Sequence, residues 1–302
     1  MADQRQATLN FLDPKVVSEL AGLDLVARLV VEGFLTGLHK SPYHGFSVEF
    51  AEHRQYMPGD PIRHVDWKIY AKSDRFYVKM YEEETNLRAL LLVDSSASMG
   101  YASPGQLTKL RYGTLVGAAL AYLMVHQQDS VGLLTYADAV QKFIPPRATK
   151  THLQVLYAEL NRLTPALTTN TRHSLKDLAD RIHRRGLIVL ISDLMDDPEG
   201  VMTALKHFRH RKHEVIVFHV LDPHEIDFPF RDVEGFIDME TKREILTQPW
   251  EIATDYRKNF EEWRTKYARM CRENHIDYVP LDTRVPFDTA LLAYLEKRRR
   301  LG

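Results

Sequence analysis

Three oxygen-bearing side chains, Asp94, Ser96 and Ser98, alternate along a short segment that follows a run of apolar residues. Residues 89–93 are all apolar, which is typical of a strand that is buried on both faces of a parallel sheet. The loop after such a strand lies at the carboxyl edge of the sheet, where open α/β sheets bind ligands. Oxygen donors that converge there suit Mg2+, which takes few protein ligands and keeps several waters, and Mn2+ accepts the same donors. The sequence therefore predicts a metal site at this loop.

Strands and helices alternate along most of the chain after residue 86. Strands are predicted at 89–93, 131–136, 187–191, 214–220 and 277–281, with a further short one at 141–144. Helices are predicted at 107–127, 149–161, 172–185, 199–210, 251–273 and 287–299. The alternation breaks at about 223–250, where an inserted hairpin is expected. This order predicts an α/β fold with a doubly wound, mostly parallel sheet over residues 87–302.

The first 86 residues have a different pattern. Residues 1–40 form an N-terminal segment in which 15–38 have helical spacing of apolar residues. Residues 41–86 are rich in aromatic residues, proline and glycine, and alternate as strands at 46–50 and 76–80, which predicts a small strand-rich subdomain. The block from Tyr43 to Glu84 is also a candidate docking surface, although packing against the core is the favoured interpretation.

Composition excludes several classes of protein. The chain has 302 residues with 40 basic and 41 acidic side chains, and this balance disfavours a nucleic-acid partner. The longest apolar run, 115–125, is too short for a membrane span, and no signal-peptide pattern is present, so a cytoplasmic location is expected. The single cysteine cannot form an intramolecular disulfide. Zinc binding by His44, His53 and His64 is disfavoured because their spacing fits no common ligand pattern.

The segment Asp94-Ser95-Ser96-Ala97-Ser98 is similar to the metal-ion-dependent adhesion site of von Willebrand factor A domains. The resemblance implies two further residues near the metal, a threonine and an aspartate that follows a later strand. Thr169 is the threonine that matches best, with Thr168 and Thr171 as open alternatives, and Asp193 is the aspartate. Asp196 and Asp197, which come just before Pro198, are expected to face solvent at a helix N-terminus instead.

Three segments upstream of Asp94 show a resemblance to one particular protein family. They are Ser41-Pro-Tyr-His-Gly45-Phe-Ser-Val-Glu49-Phe50, Arg54-Gln-Tyr56-Met-Pro58-Gly59-Asp60 and Arg63-His-Val-Asp66-Trp67-Lys68. Together with Ser192-Asp193 they resemble the family called domain of unknown function 58. This resemblance implies a bacterial protein with a von Willebrand factor A-like domain over 87–302, which works beside a MoxR-type AAA+ ATPase.

Two functions compete at the predicted metal site. In the favoured one the protein is not an enzyme, and its Mg2+ receives a carboxylate from an acidic client or partner protein, in the maturation or remodelling of protein complexes. The alternative is a Mg2+-dependent, phosphatase-like hydrolase with Asp94 as nucleophile. Such a nucleophile needs a second acid two residues later for proton transfer, and Ser96 occupies that position.

Overall fold

The computed structural model describes residue 27 and residues 53–57, 67–73, 75–79, 87–165, 182, 184–232, 234–239 and 242–291. The chain divides into two compact units, residues 1–38 with 87–302, and residues 39–86. Three predicted elements lie largely outside the described residues. They are the helix at 15–38 except for residue 27, the strand at 46–50, and the helix at 172–185 as far as residue 181. Ala27 is helical and buried.

The unit of residues 39–86 contains a small antiparallel sheet. Strands β1 (His53–Gln55) and β2 (Tyr77–Lys79) pair, with Arg54 opposite Val78. Helix α1 (Trp67–Ser73) lies between them in sequence. The rings of Tyr70 and Phe76 stack with centroids 4.3 Å apart, which ties the helix to the start of β2.

The larger unit alternates strands and helices as expected. Its elements in chain order are β3 (Arg88–Asp94), α2 (Lys109–His126), β4 (Ser130–Tyr136), β5 (Val140–Arg147), α3 (Lys150–Arg162), β6 (Leu187–Ser192), α4 (Pro198–His210), β7 (Glu214–Leu221), α5 (Pro223–Asp227), β8 (Glu234–Ile237), β9 (Glu244–Thr247), α6 (Pro249–Glu273) and β10 (Asp277–Asp282). A 3-10 turn spans Ser98–Gly100, and residues 287–291 are helical.

Six of these strands form one sheet in the order β10-β7-β6-β3-β4-β5. Every neighbouring pair is parallel except β4 with β5, which are antiparallel at the edge. The strand order reverses at β3, so the loops after β3 and β6 flank the topological switch point. The predicted fold, an α/β fold with a doubly wound and mostly parallel sheet, is confirmed.

Helices cover both faces of the sheet, and the alternation of side chains along β3 explains how. Leu91 and Val93 face one core cluster, which α2 and α3 complete. Leu90 and Leu92 face a second cluster, which α4 and α6 complete. A strand between two such layers must be apolar on both faces, which is why residues 89–93 form an uninterrupted apolar run.

The predicted insertion contains a hairpin. Strands β8 and β9 pair antiparallel, with Phe236 opposite Ile245, and form a separate two-stranded sheet. Helix α5 precedes them and begins with a capping box. The side chain of Asp222 accepts a hydrogen bond from the backbone N–H of His224, and the side chain of Glu225 accepts one from the backbone N–H of Asp222. Among the helices that the structure describes, none has the length and apolar character needed to cross a membrane.

Candidate metal centre

Asp94 is the last residue of β3 and is buried at the carboxyl edge of the sheet. Its Oδ1 accepts a hydrogen bond of 2.9 Å from the backbone N–H of Ser96, and its Oδ2 accepts one of 2.6 Å from the hydroxyl of Ser192. Ser192 ends the neighbouring strand β6 and itself accepts from the backbone N–H of Leu194 at 2.9 Å. These bonds fix the carboxylate and join the loops that follow two adjacent strands.

Ser96 and Ser98 lie on the loop that Asp94 begins, and their Oγ atoms are 3.1 Å apart. Two neighbouring ligands of an octahedral ion with bonds of 2.0–2.1 Å are separated by about 3 Å, so this spacing fits two adjacent positions on Mg2+. The 3-10 turn at Ser98–Gly100 holds the second serine in this place, because the N–H of Tyr101 bonds to the carbonyl of Ser98 at 3.0 Å.

Asp193 follows β6 and is bound to a buried lysine. The Nζ of Lys109, in the first turn of α2, lies 2.7 Å from Oδ2 of Asp193 and also forms an ion pair with Oε1 of Glu225 on α5. The sequence analysis did not identify Lys109 or Glu225. A signal was present, because Lys109 begins a long apolar helix directly after the polar loop that contains Ser98, where a cation has little access to solvent.

The charges in this cluster shift one another's pKa values. Burial, together with the nearby charge of Asp193, raises the pKa of Asp94 to about 7. The hydrogen bonds from Ser192 and Ser96 lower this pKa, but by less than burial raises it. Burial alone would raise the pKa of Asp193, but its ion pair with Lys109 outweighs burial and lowers it. Burial would likewise lower the pKa of Lys109, and the two carboxylates raise it instead. Asp94 is therefore the carboxylate whose charge is least compensated.

A buried histidine supports the Asp193 loop from β7. The backbone carbonyl of Asp193 accepts a hydrogen bond of 2.9 Å from Nε2 of His219. Because a carbonyl can only accept, Nε2 carries the proton, and Nδ1 accepts from the hydroxyl of Tyr278 on β10 at 2.5 Å. Burial lowers the pKa of His219 to about 3, so the ring is neutral near neutral pH.

The structure brings together Asp94, Ser96, Ser98 and Asp193, since hydrogen bonds join Asp94 to Ser96 and Ser96 to Ser98, and the charge of Asp193 is near enough to raise the pKa of Asp94. Thr169 and its alternatives Thr168 and Thr171 lie outside the described residues, so the threonine assignment stays a prediction. The expectation for Asp197 is confirmed, because it caps the N-terminus of α4 and its side chain accepts from the N–H of Gly200 at 2.8 Å.

The donor set fits a hard divalent cation. All candidate ligands are oxygen atoms: the hydroxyls of Ser96 and Ser98 are neutral, the carboxylate of Asp193 is paired with Lys109, and Asp94 is a buried carboxylate held by hydrogen bonds. Across the described ranges, no group of three His, Cys, Asp or Glu side chains is arranged to hold a metal. A metal at this edge would therefore depend on the serine hydroxyls as much as on carboxylates.

Comparisons with known proteins find curated relatives over most of the chain and a solved structure of similar fold. An uncharacterized protein from Mycobacterium bovis and one from Mycobacterium tuberculosis are each 26% identical over 296 residues, 95% of this chain and 91% of theirs. Among solved structures, an aerotolerance-related membrane protein from Bacteroides fragilis matches 71% of this chain and 99% of its own with 18% identity and a TM-score of 0.50. The von Willebrand factor A domain of SpRpn10 matches 68% and 94% with 9% identity and a TM-score of 0.39.

A family model matches residues 52–270, which include both loops of the candidate metal centre as well as β1, α1 and β2. The match therefore includes two of the three upstream motifs, at 54–60 and 63–68, together with strands β3 to β7 of the large sheet. The chain belongs to the family described as protein of unknown function DUF58.

Proposed function

We propose that this protein is a non-enzymatic interaction module that binds Mg2+ at the Asp94–Ser98 loop and captures a carboxylate of another protein there. Asp94, Ser96 and Ser98 would hold the ion, with Asp193 beside them and Thr169 as the further donor that the family resemblance implies. Mn2+ would fit the same oxygen donors. The observation that carries the proposal is the buried, oxygen-only donor set at the switch point of the sheet, whose negative charge exceeds that of Lys109.

The side chains at this site would neutralise the charge of a bound Mg2+ only in part. Ser96 and Ser98 are neutral, and Lys109 already neutralises part of the charge on Asp193. Bound at this site, the metal would supply positive charge for a carboxylate that arrives from outside. The chain's own part is to orient Asp94 and to favour its ionised form against burial, through the hydrogen bonds from Ser96 and Ser192.

The hydrolase alternative has less support from the geometry. A nucleophilic carboxylate needs a free oxygen that can reach the substrate, whereas both oxygens of Asp94 accept hydrogen bonds and the side chain is buried. Position 96, where such a hydrolase has its proton-transferring acid, carries a hydroxyl. Coordination of Mg2+ can use a second lone pair of a carboxylate oxygen that already accepts a hydrogen bond, and it needs no proton-transferring acid at position 96.

The family resemblance points to a MoxR-type AAA+ ATPase as the partner, with an acidic client protein in the maturation or remodelling of protein complexes. Metal-bridged capture would make this association depend on Asp94. Because AAA+ ATPases themselves use Mg2+ with nucleotide, removal of the metal alone would not separate the two effects. Substitution of a ligand residue at constant Mg2+ is the cleaner test.

The experiment is capture of the purified ATPase from the same host on immobilised protein, with Mg2+ and ATP held constant. We expect Asp94→Ala to lose the ATPase, while Asp138→Ala retains it. Asp138 is an exposed aspartate that follows β4 at the same edge of the sheet, so it controls for loss of surface charge. Equal capture by the wild type and by Asp94→Ala would contradict docking at the metal site.

A further inference from the structure

A cavity of about 380 Å3 lies next to the candidate metal centre. Its lining is mainly aromatic and apolar, and its rings come from the loop after β3, the segment after α5, β8 and α6. We call it the aromatic pocket. The side chains that define it are Tyr101, Phe228, Phe230, Phe236, Met239 and Tyr256. Its volume lies within the usual range for ligand sites, and its lining is apolar with a few polar groups.

The rings hold one another in place. Phe228 stacks on Tyr256 with centroids 4.3 Å apart and lies near Phe236 at 5.6 Å, while Phe230 meets Phe236 edge-on at 5.1 Å. Phe228 adopts a positive φ of 47°, a backbone conformation that bulky residues rarely occupy. Phe228 ends helix α5 in this left-handed conformation, with its N–H bonded to the carbonyl of His224, which fixes the backbone that carries its ring.

The pocket shares walls with the metal centre. Ser98 lines the pocket and belongs to the predicted metal loop, and Met195 lines it from the loop that Asp193 begins. Glu225 also lines it, and this carboxylate pairs with Lys109, which in turn pairs with Asp193. A partner side chain in the pocket would therefore lie beside the partner carboxylate that binds the metal.

The apolar lining continues onto the exposed part of the β8–β9 hairpin. Ile245 pairs with the pocket residue Phe236 across the two strands and therefore lies on the same face of the hairpin, where its side chain is 65% exposed. It offers a partner additional apolar contact area beside the pocket. The mainly apolar lining selects an apolar occupant, and the acidic groups Glu225 and Asp238 in it disfavour a second carboxylate.

We infer that the aromatic pocket receives an aromatic or long aliphatic side chain from the same partner segment whose carboxylate binds the metal. The partner is thus a protein segment that presents one acidic residue and, close to it in sequence, a Phe, Tyr, Trp, Leu or Met. This inference rests on the proposed function, because the metal fixes where the acidic residue lies. It adds a specificity element, since a carboxylate alone would not distinguish one acidic protein from another.

The test uses a displayed library of random peptides, selected on the full chain in the presence of Mg2+. Enriched peptides are then synthesised, and their affinities are measured by fluorescence anisotropy. We expect them to pair Asp or Glu with a large apolar residue and to lose about tenfold or more in affinity for Phe230→Ala and for Met239→Glu. Phe143→Ala is the matched control, because Phe143 is a half-exposed phenylalanine on β5, outside this pocket.

The outcomes separate this inference from the proposed function. Peptides that need Asp94 but bind Phe230→Ala and Met239→Glu like the wild type would overturn the pocket and leave the metal function intact. Peptides that need the pocket but bind equally well to Asp94→Ala would support the pocket and contradict metal bridging. Failure to enrich any peptide, or a dimer of the protein that Met239→Glu converts to monomer, would overturn a partner segment as the occupant.

Discussion

The Nζ atom of Lys109 lies 2.7 Å from Oδ2 of Asp193, and the two side chains are 0% and 1% exposed. This pair joins the start of α2 to the loop after β6, and through Glu225 it also reaches α5. A buried lysine thus sets the charge of the candidate metal centre from within the protein. Its single positive charge offsets part of the negative charge of Asp193 and Glu225.

Removing the lysine charge should destabilise the metal-free protein strongly. In Lys109→Met the carboxylates of Asp193 and Glu225 stay buried without their cation, which is expected to cost about 3–5 kcal/mol in the free energy of unfolding. Urea denaturation measures this change. The control is Lys266→Met, which breaks the exposed pair with Glu199 and should cost less than about 1 kcal/mol. Similar small losses in both variants would show that the buried pair contributes little.

The stability of the protein should fall in acid through His219. Its pKa is lowered to about 3 in the folded protein from 6.5, so between these values the unfolded chain binds a proton that the folded chain does not. The free energy of unfolding therefore decreases as pH falls below about 6.5, by up to about 1.4 kcal/mol per pH unit from this group.

The pH dependence of unfolding in His219→Gln checks this assignment. The variant should be less stable at neutral pH, because the hydrogen bonds to Asp193 and Tyr278 are altered, but its stability should fall less steeply in acid than that of the wild type. His210→Gln, at an exposed position on α4, should keep the wild-type slope. Identical slopes for the wild type and His219→Gln would rule out His219 as the titrating group.

Two glycines of α2 should respond differently to alanine. A Cβ at Gly113 would lie 2.8 Å from Cγ2 of Ile191, an atom fixed close to the backbone of β6, whereas a Cβ at Gly117 would lie 3.3 Å from the mobile Cδ1 of Ile191. We expect Gly113→Ala to lose about 1–3 kcal/mol of stability through overpacking. At Gly117 the gain in helix propensity, about 1 kcal/mol, should offset most of the strain. Thermal unfolding compares the two, and a Gly113→Ala variant as stable as the wild type would contradict the close approach of α2 to the sheet.

The elements that could be predicted from the sequence are those marked by a pattern of neighbouring residues. Residues 89–93 and 187–191 are apolar without interruption because β3 and β6 are buried on both faces, and this signal requires no knowledge of the neighbours. The hairpin of β8 and β9 was likewise predicted from a break in the alternation. The loop of Asp94, Ser96 and Ser98 was recognised because its three donors are close in sequence.

The remaining parts of the site depend on pairing over long sequence distances. Lys109 and Glu225 are 116 residues apart, and Ser192 and Asp94 are 98 apart, so only the order of strands in the sheet brings them together. The pocket assembles rings from Tyr101 to Tyr256 for the same reason. A single sequence shows that these residue types are present, but it does not show which of them become neighbours.

Isothermal titration calorimetry with MgCl2 tests the central claim most directly, on the wild type, Asp94→Ala and the control Asp138→Ala. Circular dichroism establishes first that all three are folded. The account predicts saturable binding of one Mg2+ by the wild type and by Asp138→Ala, and none by Asp94→Ala. Mg2+ binding by Asp94→Ala with the affinity of the wild type, or no Mg2+ binding by the folded wild type, would contradict the metal centre.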